Sequence, residues 1–135
     1  MTYLVDTDYV VDYLKGQRNV PEMLTQLFPE GIALSIITFA EVYKGIYYGQ
    51  NRTHYEQGLR QFLQGVCLLG ITRSIVRRFA ILRGQLRAQP EGKTVVQPKD
   101  NYDIFIAATA LQHNLTLITR NVKDYQRIPN LKLYK

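Results

Sequence analysis

The sequence predicts an α/β fold, a three-layer α/β/α sandwich around a mostly parallel central sheet. Short apolar runs such as Tyr3 to Val5, Ile32 to Ser35 and Val66 to Leu69 alternate with stretches whose apolar residues recur every three or four positions. Runs that are apolar throughout suit strands buried on both faces. Strands alternating with helices give parallel pairing, because right-handed crossovers place helices on both sides of the sheet. The first run also ends abruptly in Asp6, Thr7 and Asp8, as expected at the ligand-facing rim of such a sheet. With 135 residues, the chain is expected to form a single domain, 1–135, that buries roughly two-thirds of its unfolded surface.

Taken in order, a helix starts at Thr7 or Asp8, turns Val10, Val11 and Leu14 to one side, and ends at Gly16. Pro21 suits the first turn of a second helix through Leu27 or Phe28, and Pro29 to Gly31 form a turn. The strand Ile32 to Ser35 leads to Thr38 and a helix bearing Phe39, Val42, Tyr43, Ile46 and Tyr47, with Glu41 in its first turn. A helix from Thr53 to Gln64 precedes a third strand, Val66 to Ile71. Arg73 to Arg87 is the most basic helix, with Ile75, Phe79, Leu82 and Leu86 as its buried stripe. Pro90 to Lys99 reads as a loop and Asp100 to His113 as a helix. Leu115 to Thr119 is a strand, Asn121 to Gln126 a short helix, and Leu131 to Leu133 the last strand.

Composition narrows the partners. Seventeen Lys and Arg against 11 Asp and Glu give a net charge of +6, which favours polyanions and argues against a basic substrate. The one cysteine, Cys67, lies in an apolar run and is expected to be a small buried hydrophobe. No segment approaches the ~20 apolar residues of a membrane span, and the first residues show no basic segment followed by a long apolar stretch, so a cytoplasmic protein without membrane association is expected.

The acids carry the chemistry. Asp6, Asp8, Glu41, Asp100, Asp103 and Asp124 all fall at expected helix starts, mostly just beyond strand ends. Singly, Thr38 with Glu41, Asp100 with Asp103, and Asn121 with Asp124 have capping-box spacing, and first-turn acids complement the helix dipole. Together, parallel strands share one carboxyl edge, so these groups converge on one rim. Clustered carboxylates repel and desolvate one another unless a cation lies among them. Oxygen-only ligands select a hard ion, Mg²⁺ or Mn²⁺, whereas two histidines and one cysteine show no zinc spacing. Such an ion beside a basic surface suits phosphodiester hydrolysis. His54 and His113 have no paired nucleophile and acid, which excludes acyl transfer by a Ser, His and Asp set.

Leu4, Val5, Asp6 and Thr7, then Ser35, Thr38 and Glu41, then Asp103, Ile106, Ala107 and Ala108, and finally Leu117 to Asn121 resemble the motifs of PIN-domain nucleases. More narrowly, the chain resembles VapC-type toxins of prokaryotic type II toxin–antitoxin pairs, along essentially its whole length. The resemblance implies a Mg²⁺- or Mn²⁺-dependent endoribonuclease acting on structured RNA of the tRNA or rRNA class. It also implies a homodimer and a cognate VapB-like antitoxin. Asp6 and Asp103 match the family's principal metal-ligating carboxylates. Glu41 matches the third acid, and Thr7 and Thr119 match supporting hydroxyls.

Two departures stand out. Asn121 occupies the place of a fourth acid in many relatives, and Asp124, a turn later, reads either as that acid or as a helix cap. Asp8 stands where asparagine is common. Asp100 reads as a cap, because only Asp103 keeps the motif's register with Ile106. Arg120, Lys99, Lys123 and the arginines of the basic helix, Arg77 among them, are the candidate RNA contacts, since phosphate contacts supply most sequence-independent affinity. Tyrosines are numerous, 10 in all, and for Tyr43, Tyr47, Tyr48 and Tyr55 core or subunit packing is the expected use ahead of base stacking. Two further readings stand beside the toxin: a PIN-fold RNA- or protein-binding module with little or no turnover, favoured by Asn121, and a structure-specific DNA nuclease, disfavoured by the small size of the chain. A toxin of this charge is expected to be inhibited by a segment that brings Arg or Lys to its carboxylates, docked on an apolar patch.

Overall fold

The structure, a computed structural model, describes residues 1–87 and 101–135. The expected loop from Pro90, Lys99 and Asp100 therefore lie outside the described residues. Among those described, five strands, β1 (Tyr3–Val5), β2 (Ile32–Ser35), β3 (Val66–Leu69), β4 (Thr116–Ile118) and β5 (Lys132–Leu133), form one sheet in the order β3-β2-β1-β4-β5. Every pairing is parallel. The helices are α1 (Thr7–Lys15), α2 (Val20–Leu27), α3 (Ile36–Tyr48), α4 (Arg52–Gln64), α5 (Arg73–Arg87), α6 (Asn101–Gln112) and α7 (Val122–Tyr125).

Strand alternation divides the core into two layers. Leu4, Ala33 and Leu117 pack with Ile75, Leu82 and Leu86 of α5 and with Ile104, Ala107 and Ala108 of α6. On the other face Val5, Ile32, Leu34 and Ile118 pack with Val10, Leu24, Val42, Ile46, Leu59 and Phe62 of α1 to α4. Successive strand residues point to opposite faces, so each strand feeds both layers. This is the α/β/α sandwich expected from the continuous apolar runs.

β1 lies in the middle of the sheet. The chain builds outward from it through β2 to β3, then returns to its other side with β4 and β5. The strand order therefore reverses between β1 and β4. At such a switch point the flanking helices leave in opposite directions and open a crevice above the carboxyl ends of the strands.

Three local expectations change. Cys67 is exposed, as is Leu68, because β3 is an edge strand whose central residues are left uncovered on both faces. An apolar run reports strand propensity but not position in the sheet. Helix α3 begins at Ile36, capped by Ser35, whose Oγ accepts the Ile37 N–H at 3.0 Å. Thr38 is thus buried inside the helix, and Glu41 stands in its second turn, not the first. The Asn121–Asp124 capping box does not form either, since Asn121 makes no side-chain cap bond.

Candidate active site

Asp6 ends β1 with extended backbone (φ −77°, ψ 163°), and its Oδ1 accepts the Thr7 N–H at 2.8 Å, capping α1. Its Oδ2 accepts the Thr119 hydroxyl at 2.7 Å from the end of β4. The Asp6 N–H donates to the Ile118 carbonyl at 2.9 Å, so backbone and side chain both tie Asp6 to the neighbouring strand. Thr119 Oγ1 in turn accepts the Asn121 N–H at 3.0 Å. On the other side, the Thr7 hydroxyl donates to Glu41 Oε1 at 2.8 Å. One hydrogen-bonded chain thus runs from Asn121 through Thr119, Asp6 and Thr7 to Glu41, across β4, β1, α1 and α3.

Asp6 is only 5% exposed. Burial pushes its carboxyl above the ordinary carboxylate range, the bonds from Thr119 and Thr7 pull it partly back, and the charges of Asp8 and Glu41 push it up again. A buried carboxylate facing two other acids is the electrostatic situation that a cation relieves.

Asp103 lies in the first turn of α6 and is partly buried. A residue missed at the sequence level connects it to the site: Tyr125, fully buried on α7. Burial, the charges of Asp6 and Asp103, the approach of Asp103 as an acceptor, and the charge of Glu41 all hold the Tyr125 phenol far above its ordinary pKa. Among the described residues the Tyr125 hydroxyl has no hydrogen-bond partner. The one available signal was an aromatic residue directly after Asp124, in the helix that follows the strand of Thr119.

Asp124 is buried in the first turn of α7, with its N–H donating to the Asn121 carbonyl at 3.0 Å. Asn121 and Asp8 are exposed. Arg120 turns away from solvent and pairs with Asp12, a buried acid of α1, with its Cζ 4.9 Å from the centre of the Tyr9 ring. Asp12 also went unnoticed in the sequence, although a charge among Val10, Val11 and Leu14 was the available sign. Arg77 is not brought to the acids. It shares a cavity with Arg78, Ser74 and Gln112, and Gln112 ends the helix that Asp103 begins, about 13 Å away along the axis at 1.5 Å per residue.

Among the described residues, no three of Asp, Glu, His and Cys stand close enough together to share one ion as placed. The donor set nevertheless fits a hard divalent ion. Asp6, Glu41 and Asp103 all act on one buried phenol, the available atoms are carboxylate oxygens, and a buried hydroxyl without a partner lies among them. Beside Glu41 a groove of about 410 Å³ opens between α1, α3 and α4, with walls that include Val11, Leu14, Ile46 and Tyr55.

Fold and site together define a doubly wound α/β protein with acids gathered at the carboxyl edge of its sheet. The chain belongs to the PIN-domain family, whose pattern matches residues 3–131. It is 33% identical to Ribonuclease VapC1 of Haemophilus influenzae over 98% of this chain and 96% of that protein. It is also 33% identical to Ribonuclease VapC1 of Methanocaldococcus jannaschii over 97% of this chain and 85% of the relative. Among solved structures, VapBC2 of Rickettsia felis bound to a promoter DNA fragment superposes with a TM-score of 0.86 at 27% identity, covering 99% of this chain and 98% of the other. VapBC-1 of nontypeable Haemophilus influenzae superposes at 0.81 with 30% identity, covering 100% and 98%. No described helix is long and apolar enough to cross a membrane.

Proposed function

We propose that this protein is a VapC-type toxin: a Mg²⁺- or Mn²⁺-dependent endoribonuclease that cleaves structured RNA of the tRNA or rRNA class and is neutralised by a cognate VapB-like antitoxin. The observation that carries this reading is the hydrogen-bonded chain joining Asp6 and Glu41 through Thr7 at the switch point of the sheet. The names of the Haemophilus and Methanocaldococcus relatives, and the VapBC complexes among the structural neighbours, support it.

Asp6 and Asp103 are the residues that hold the ion. Bound there, a divalent ion lowers the cost of activating water and neutralises charge on the phosphate. The chain's own groups do the rest. Thr119 and Thr7 fix the Asp6 carboxylate from both oxygens. Glu41, held by Thr7, orients the attacking water or helps hold a second ion, and buried Asp124 is the candidate fourth acid. Arg77, Lys99 and Lys123 are the candidate phosphate contacts. Arg120, engaged with Asp12, joins them only with the part of its guanidinium left open.

The groove beside Glu41 supports a docking site for the antitoxin, whose apolar residues would lie against Leu14, Ile46 and Tyr55 while a basic side chain reaches the carboxylates. The homodimer is part of the same proposal, and sedimentation of the antitoxin-free protein tests it.

The function is tested by incubating antitoxin-free protein with total tRNA and Mg²⁺ or Mn²⁺, with chelator, and with an Asp103→Asn variant. Discrete cleavage lost in both controls is the expected result, and full metal-dependent cleavage by Asp103→Asn overturns the site. Binding of RNA without cleavage, unaffected by chelator, supports the binding-module reading favoured by exposed Asn121 in place of a fourth acid.

A further inference from the structure

Tyr125 is completely buried, and among the described residues its hydroxyl has no hydrogen-bond partner. Buried polar atoms are nearly always paired, and phenylalanine would fill the same space without an unsatisfied oxygen. The ring packs in the core layer of α5 and α6, so apolar burial accounts for the ring and not for the hydroxyl.

The surroundings of that oxygen are acidic. Asp6, Asp103 and Glu41 all act on it, and a phenol hydroxyl can donate one hydrogen bond to a carboxylate. Hydroxyl and amide donors hold acids elsewhere in the site: Asp6 accepts from Thr7 and Thr119, and Glu41 from Thr7. Asp103, in the first turn of α6, is the acid that acts on the Tyr125 hydroxyl as an acceptor.

We propose that Tyr125 is a positioning residue of the metal site, its buried hydroxyl donating to the Asp103 carboxylate and fixing it opposite Asp6. The assignment rests on the carboxylate–metal reading above. Donors behind a metal ligand hold it in register before the ion arrives, and their loss typically weakens metal binding about 10–100-fold.

The test is Tyr125→Phe, which removes one oxygen and keeps the ring. Mn²⁺ binding to the purified protein is measured by titration calorimetry, Tm is measured in chelator, and cleavage is followed against Mn²⁺ concentration. The expected result is an unchanged or higher Tm, Mn²⁺ affinity lower by about tenfold, and cleavage half-saturating at correspondingly higher Mn²⁺. In an Asp103→Asn background the same change should have no further effect on Mn²⁺ binding, because the pair is already broken. A higher Tm with unchanged Mn²⁺ affinity overturns the proposal and leaves the hydroxyl an unpaired core atom. If the wild-type protein itself binds no Mn²⁺ and cuts no RNA, the metal-nuclease reading falls and this inference with it; normal wild-type behaviour with an indifferent Tyr125→Phe removes the inference alone.

Discussion

The hydroxyl of Thr119 donates to Asp6 Oδ2 at 2.7 Å, joining residues 113 positions apart. Because Thr119 also accepts the Asn121 N–H, the turn after β4 is locked to the end of β1, and the rim of the crevice is set by side chains as well as by strand pairing. Thr119→Val keeps the shape and removes the donor. Cleavage should fall about 10–100-fold with a weaker dependence on fold stability, as for other donors behind metal ligands. Near-normal cleavage by the valine variant, measured at saturating Mn²⁺ and at low Mn²⁺, would remove Thr119 from the site.

Asp6 should make stability depend on pH in the sense opposite to most acids. Its folded pKa is raised, with burial as the main cause, so the folded state holds this proton more tightly than the unfolded chain. Its contribution is therefore fully present below the ordinary carboxylate value of 3.8 and is lost as pH rises through the higher folded value. In chelator, Asp6→Asn should raise Tm at neutral pH, and the gain should shrink as the pH falls into the carboxylate range. Mn²⁺ should raise Tm of the wild type and not of the variant. A pH-independent difference between the two proteins would contradict this.

Arg120 and Asp12 pair across α1 and the end of β4, with side chains 28% and 7% exposed, and Arg18 stands 3.6 Å from the same carboxylate. Removing one partner strands a buried charge. Partial exposure of Arg120 and the proximity of Arg18 reduce the cost, so Arg120→Ala should destabilise by about 2 kcal/mol. Asp12→Asn in the same chain should recover part of it, read from urea unfolding midpoints at constant m.

Gly45 lies in α3 on the wall of the groove beside Glu41, and a Cβ there would meet open space. Gly45→Gln should stabilise the helix by about 0.5–1 kcal/mol while filling the groove. Cleavage should persist and inhibition by the antitoxin should weaken, measured by titrating antitoxin into a cleavage assay. Unaltered inhibition would place the antitoxin elsewhere.

Arg77 stands at the far end of α6 from Asp103. If it contacts RNA phosphate, Arg77→Ala should weaken RNA affinity uniformly across sequences and lower the salt-dependence slope by about 1, with cleavage at saturating RNA unchanged. An unaltered slope would leave it as surface charge.

Much of the fold and part of the site were legible in local pattern. Tyr3 to Val5 and Ile32 to Leu34 are apolar because β1 and β2 are covered on both faces, and Gly16 ends α1 in the left-handed region, φ 66°. Asp6 was visible because it terminates the first strand, and its capping of α1 turned out to coexist with its place in the crevice. Glu41 was placed a turn too early, because Thr38 mimics a cap while Ser35, at the strand end, is the residue whose oxygen reaches a free N–H.

The sequence by itself determined that strands and helices alternate, that the strands run parallel, and which acid types stand near their carboxyl ends. Those properties depend on hydrophobic period, capping and backbone preference, which are set by residues a few positions apart. Only the tertiary structure decided which groups meet: Thr119 with Asp6, Thr7 with Glu41, Arg120 with Asp12, and the Tyr125 phenol among three carboxylates. It also left Cys67 exposed on an edge strand. These pairings follow from strand order, with β1 placed between β2 and β4, and strand order is fixed by packing two helical layers onto one sheet, a balance among residues more than a hundred positions apart.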